Sequence, residues 1–101
     1  MTRLPEKRRP VHPGQVLREE CLEPLGMSQT EAAERLGISY PRINEVVNGR
    51  RSVTPDTALR LARLFDTDPE FWLDLQQAHD LWEAMHAPEA ANLEEIVPVT
   101  G

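Results

Sequence analysis

Ser28 to Gly49, SQTEAAERLGISYPRINEVVNG, reads as two short helices joined by a tight turn. Ser28, with Glu31 three residues on, forms a reciprocal capping box that opens the first helix. Ala32, Ala33 and Leu36 make its apolar side, and Gly37 supplies the left-handed backbone position that ends it. Ser39 caps the second helix. At about 100° per residue, Ile43, Val46 and Val47 turn inward, while Pro41, Asn44, Glu45 and Asn48 turn outward with Arg42 on the flank.

The spacing predicts a helix-turn-helix rather than an ordinary helical hairpin. That motif needs a small residue where the helices touch, a glycine in the turn and apolar residues inside the second helix. Ala33, Gly37, Ile43 and Val46 meet those demands in register. An outward face of small polar residues, followed by Arg50 and Arg51, suits a helix laid in a major groove.

Outward from the motif, Pro13 and Gly14 introduce a first helix with Val16, Leu17 and Cys21 on its inner side and Leu25 as a further candidate. Pro24 limits how far that helix runs. Met27 stands as the apolar partner of a staple before the Ser28 cap. Asn48 to Ser52 is a turn in which Gly49 takes a positive φ and the arginines lie where a DNA backbone would pass. Thr54-Pro55-Asp56 starts a fourth helix, whose Arg60 and Arg63 are expected on its solvated side. Asp68-Pro69-Glu70 starts a fifth, from Pro69 to His86, with Phe71, Leu75, Ala78, Trp82 and Met85 as a continuous apolar stripe. Five helices and no convincing strand predict an all-α domain over residues 13–87. A basic lead, residues 1–12, is expected to be mobile or ordered only on a partner. Pro88 ends the fifth helix, and residues 88–101 form a short tail with Ile96, Val97 and Val99. A half-turn of helix, a strand paired with a second copy, and disorder all remain open for that tail.

Composition bounds the function. The 101 residues make one modest core, and no apolar run approaches the roughly 20 residues of a membrane span. No apolar h-region marks a signal peptide, and the single Cys21 reads as a packed thiol, so a cytoplasmic location is expected. The net charge of -6 conceals a division along the chain. Residues 1–13 carry +3, 14–27 carry -2, 28–63 carry +2, and 64–101 hold nine acids with no Lys or Arg. A basic front and an acidic back imply two different partners, or one partner and a surface that repels it.

An enzyme fits poorly. His79 and His86 are seven apart, not at the three or four spacing of a helical metal site, and His12 is remote in sequence. No glycine-rich phosphate loop or nucleophile–base pattern is present, so no catalytic, cofactor or metal site is expected. A pure protein-binding module is a second rival, opposed by Arg50 and Arg51 after the second motif helix.

From Gln29 to Asn48 the chain resembles the Cro/C1 (XRE) class of helix-turn-helix regulators. The opening His12-Pro13-Gly14, Leu17-Arg18-Glu19-Glu20 and Glu23-Pro24-Leu25-Gly26-Met27-Ser28-Gln29 is similar to that of HigA-type antitoxins, also described as VapI-like antidote proteins. Residues 42–51, 54–62, 69–76 and Asp80-Leu81-Trp82 continue the likeness across roughly residues 11–86. The resemblance implies a five-helix, lambda-repressor-like domain. It further implies a homodimer that binds operator DNA, represses its own operon and neutralises a HigB-type ribonuclease toxin. A free-standing repressor without a toxin is the alternative. By position, Gln29, Ser39, Tyr40, Pro41, Arg42, Asn44, Glu45 and Asn48 match the DNA-facing places of the class, with Arg50 and Arg51 beside them. Pro41 departs from the class, which often has a long hydrogen-bonding side chain there; base readout must shift to Ser39, Tyr40, Arg42, Asn44 or Glu45. The fifth helix, through Trp72, Leu73 and the Trp82 stripe, is expected to contribute to the dimer. The toxin has two candidate contacts, the acidic back half and the basic lead.

Overall fold

A computed structural model describes residues 9–100. Its first helix, α1 (residues 13–25), begins where the His12 imidazole caps it: Nδ1 accepts the Gly14 N–H at 2.9 Å. Burial, and then the neighbouring His79, hold the His12 imidazole below its ordinary pKa, which keeps that lone pair available. The helix is continuous but changes gauge. It is α-helical over Pro13–Val16, π-helical over Leu17–Leu22 and α-helical again over Glu23–Leu25. Pro24 lies within the last turn, and the helix ends one residue after it, at Leu25. A proline in a regular α turn would clash with the carbonyl four residues back. In the widened turn the Glu23 N–H reaches Arg18 O, five residues back, and the chain runs on to Gly26 at φ 62°. The wider turn also rotates the apolar face: Leu22 is buried, whereas Leu25, a candidate for the inner side, is exposed.

The two motif helices are α2 (Gln29–Leu36) and α3 (Tyr40–Val47). Ser28 Oγ accepts the Glu31 N–H at 3.0 Å, and Ser39 Oγ accepts the Arg42 N–H at 3.2 Å. The Glu31 carboxylate goes to Arg35 at 3.0 Å. Gly37 and Gly49 adopt φ 72° and 73°, as their turns require. Ala32, Ala33, Leu36, Ile43, Val46 and Val47 are buried, and Met27 and Cys21 pack against them. Gly14 lies so close to α3 that an added Cβ would stand 1.8 Å from the Val46 carbonyl oxygen. The start of α1 is thus seated directly on the last turn of the recognition helix.

Helix α4 (Pro55–Phe65) is capped by Thr54, and α5 (Pro69–His86) follows after Asp66 in a left-handed conformation at φ 55°. Trp72, not Phe71, is the α5 residue that enters the core: it is fully buried, and its indole N–H donates to Thr67 Oγ1 at 2.8 Å, while Phe71 is exposed. Burying roughly 150–250 Å² of indole at about 25 cal/mol/Å² gives a gross stabilisation of about 4–6 kcal/mol. One turn on, Gln76 is buried as well, accepting the Val53 N–H at 2.8 Å and donating to Asp80 at 2.9 Å. The buried face of α5 is therefore rotated one residue from the stripe expected through Phe71. Trp82, half-buried, is stacked by His86, and the Arg9 guanidinium lies 5.4 Å from its ring centroid. After Ala87 the chain forms a 3-10 helix, Pro88–Glu95, and continues extended and exposed from Ile96 to Thr100. The expectation for the lead falls mostly on residues 1–8, outside the described residues; residues 9–12 lie against α5, with Arg9 paired to Glu83 and His12 edge-on to His79.

A salt-bridged clamp holds the motif. Asp56 on α4 accepts from Arg42 on α3 at 2.7 Å and from Arg60 at 3.0 Å. Arg42 also donates to Thr57 Oγ1 at 2.6 Å. Arg60 reaches on to the Leu36 carbonyl at 2.8 Å, satisfying the last turn of α2. Arg60, expected as a solvated residue, is instead a C-terminal cap for a neighbouring helix. The two guanidinium hydrogen bonds, Arg42 first, hold the Asp56 carboxyl below the usual carboxylate range.

Two outcomes follow. Gly14→Ala must push α1 off Val46, a cost of about 1–3 kcal/mol by the measure of other overpacked cores, seen as an earlier urea midpoint. A midpoint equal to wild type would contradict the close seating. For Asp56, the depressed folded-state pKa means its stabilisation is complete above the ordinary aspartate value of about 3.9 and fades as pH falls through the lower folded value. Asp56→Asn should therefore lower the melting temperature at neutral pH and converge with wild type in strong acid; an equal deficit at every pH would remove the carboxylate charge from the account.

Candidate nucleic-acid interface

The outward surface of α3 is built from its cap onward. Ser39, Tyr40 and Pro41 are exposed at its first turn, Asn48 is exposed at its end, and Arg50 and Arg51 follow in the turn. Tyr40 is 49% exposed, a phenol that its helix presents without covering. Proline at the second helical position costs no hydrogen bond there, because that N–H would have no partner inside the helix. The first turn of α3 therefore offers an aromatic ring and a rigid apolar ring with Ser39 beside them.

Asn44, at the middle of α3, is tied to α2. Its Nδ2 donates to Gln29 Oε1 at 2.9 Å, and lies 3.5 Å from the Tyr40 hydroxyl. Gln29 and Asn44 thus form a joined pair of amides across the two motif helices, with the Gln29 NH2 and the Asn44 carbonyl still able to bond outward. Asn48 Nδ2 bonds back to the Asn44 carbonyl oxygen at 2.9 Å.

The charged residues of this surface divide by what they touch. Arg42 is directed to Asp56 and Thr57 and its side chain is only 26% exposed, so its guanidinium braces α3 against α4. Arg51 pairs with Glu45 at 2.7 Å, closing the turn onto α3. Arg50 is exposed and pairs with no side chain among the described residues, while its N–H is fixed by the Glu45 carbonyl at 2.8 Å. The structure therefore brings all ten sequence-predicted residues to one region. It separates the outward groups Tyr40, Pro41, Asn48 and Arg50 from the braced Arg42, Glu45 and Arg51.

Four contributors were not anticipated. Asp56 and Thr57 anchor Arg42 from fourteen and fifteen residues away, a separation with no local signal. Arg60 was findable, since Asp56 stands four residues before it at ion-pair spacing on one helix. His12, placed in the lead and weighed with the other histidines for a metal role, caps α1 and packs over Gly49 at the end of the motif. The three histidines serve in packing: His12 against His79, and His86 against Trp82.

Comparison with known proteins agrees with this geometry. The helix-turn-helix family model HTH_3 matches residues 17–72. The chain is similar to virulence-associated protein I of Dichelobacter nodosus, 44% identical over 90 residues that span 89% of this chain and 82% of the relative. It is similar to antitoxin HigA-1 of Vibrio cholerae, 40% identical over 77 residues that span 76% of this chain and 72% of the relative. Its fold matches the solved Pseudomonas aeruginosa antitoxin HigA with the higBA promoter at a TM-score of 0.85 and 38% identity, covering 91% of this chain and 100% of that one. The all-α fold, the motif match and these identities together place the chain: it belongs to the Cro/C1-type (XRE) helix-turn-helix family of non-enzymatic, DNA-binding regulators, among its HigA- and VapI-type members.

Proposed function

We propose that the chain is the antitoxin of a type II toxin–antitoxin module, which binds operator DNA as a homodimer, represses its own operon and neutralises a HigB-type ribonuclease toxin in the cytoplasm. The observation that carries the DNA half is the outward face of α3, with Tyr40, Pro41 and the Gln29–Asn44 amide pair exposed or edge-on beside Arg50. An amide pair suits adenine N6 and N7, and Tyr40 and Pro41 suit thymine methyl groups. Arg50 takes a phosphate, while Arg42 and Arg51 hold the surface in shape through Asp56 and Glu45. The Pseudomonas aeruginosa relative, solved with its promoter, supports the same mode here. Residues 13–87 would form the body that does this, with 1–12 and 88–101 appended.

The homodimer reading rests on what α5 leaves uncovered. Trp72 closes the monomer core and is not available, contrary to its expected share in the dimer. Leu73 and the 39% exposed Leu81 instead border a groove of about 520 Å³ with Val53 and Gln77. To read two half-sites, a two-fold pairing through this face must set the recognition helices about one DNA turn, roughly 34 Å, apart.

For the toxin, the exposed carboxylates Asp66, Asp68, Glu70 and Asp74 around the start of α5 pair with no basic side chain among the described residues, whereas Glu83 holds Arg9. A basic partner would meet the former, gaining chiefly in association rate. The free-standing repressor remains the alternative, and co-purification with the basic product of an adjacent reading frame separates the two.

DNA binding is tested by fluorescence anisotropy on the upstream DNA across a salt series. Wild type should weaken steeply with salt. Arg50→Ala should reduce the slope of log K against log salt by about 2 per dimer, at roughly 0.9 per phosphate contact, and weaken all sequences alike. An unchanged slope would take Arg50 off the DNA backbone, and light scattering that shows a monomer at micromolar concentration would refute the homodimer.

A further inference from the structure

A second groove, of about 490 Å³, lies between α2 and α4. Leu36 and Leu64 contribute to its floor, Leu59 stands in it 60% exposed, and Arg35, Arg60 and Arg63 surround it. Arg35 pairs with Glu31, and Arg60 with Asp56 and the Leu36 carbonyl, while Arg63 pairs with no side chain among the described residues. An apolar floor with a basic rim calls for an acidic segment that carries apolar side chains.

This chain contains such a segment. The tail has Leu93, Ile96, Val97 and Val99 exposed at 58%, 69%, 79% and 98%, interleaved with Glu89, Glu94 and Glu95 and without a Lys or Arg. Apolar side chains that exposed on a short segment are a feature that asks for a partner surface.

The position of the chain's own tail decides which copy supplies it. Helix α5 runs back along α4, its Gln76 accepting the Val53 N–H ahead of α4, and extends beyond that bond to His86, about 15 Å at 1.5 Å per residue. The 3-10 helix starts at that far end and packs on α5. To enter its own groove, the tail would have to give up that packing. A two-fold partner has no such constraint, because it can present its tail from outside.

We propose that the α2–α4 groove receives the acidic–apolar tail, Leu93 to Val99, of the second copy in the dimer, so that the two subunits embrace through exchanged tails. This rests on the homodimer reading above. Leu93 and Ile96 would cover Leu59, and Glu94 and Glu95 would meet Arg63 and Arg35.

The test uses the full chain. In a Cys21→Ser background, Leu59→Cys with Ile96→Cys is treated with a short flexible bismaleimide, and light scattering is run in parallel. The expected result is a dimer-sized linked product that neither single cysteine variant gives. Arg63→Glu should cut its yield several-fold, and Glu94→Arg with Glu95→Arg should restore it in the same chain. A linked product of monomer size would assign the groove to the chain's own tail and overturn the proposal. So would a dimer in light scattering without linkage, which leaves the homodimer standing. A monomer in light scattering would overturn both. Loss of DNA affinity in Arg63→Glu with linkage unchanged would give the groove to DNA and likewise overturn the proposal.

Discussion

The interface depends on one carboxylate shared by two guanidinium groups. Asp56 holds Arg42 of the recognition helix, and through Arg60 it holds the end of α2. Helices of eight residues have little intrinsic stability in water, because nucleation is costly and few hydrogen bonds repay it. Their relative placement must come from contacts outside them. The apolar side of the motif supplies the bulk of the attraction, but burial is non-directional. The Asp56 clamp adds direction, fixing the rotation of α3 and with it the direction in which Tyr40 and Pro41 point. Each bond in the clamp is exposed enough for water to weaken it; its worth lies in registering the motif more than in total stability.

Elements whose signals are local could be read directly from the sequence. The caps Ser28, Ser39 and Thr54, the stops at Gly37 and Gly49, and the motif core from Ala32 to Val47 all depend on residues three to five apart. The outward set on α3 was legible for the same reason. What was not legible depends on distance or on competition. Arg42 meets Thr57 across fifteen residues, and nothing in the local spacing distinguishes a bracing arginine from a reading one. On α5, Phe71 and Trp72 are adjacent and both apolar, so periodicity alone does not choose between them. The choice falls to Trp72 because Thr67 satisfies its indole and because Gln76, one turn along, is needed by the Val53 N–H. The π-helical turns of α1, Leu17–Leu22, stand just before Pro24 and have no signal in the apolar spacing.

Charge gives the molecule its direction. Residues 28–63 carry a small positive excess, and from residue 64 onward the chain has nine acids and no Lys or Arg, so the duplex would attract one side and repel the other. On the proposed function, this arrangement would keep α5 and the tail away from DNA and leave them for protein partners. Arg9 shows the same logic inside the molecule, where the basic lead is drawn to Glu83 and the face of Trp82. Trp72 sits at the centre of the core, which leaves Leu73 and Leu81 as the apolar surface of α5 open to a second copy.

The central claim is that two copies of this interface read DNA together, each through the outward face of α3. Hydroxyl-radical footprinting of the upstream DNA tests it most directly. Two protected patches related by a two-fold axis and separated by about one helical turn, roughly 34 Å, are the predicted result, with both patches lost together in Tyr40→Ala combined with Arg50→Ala. A single protected patch, or protection that survives that double change, would contradict the account.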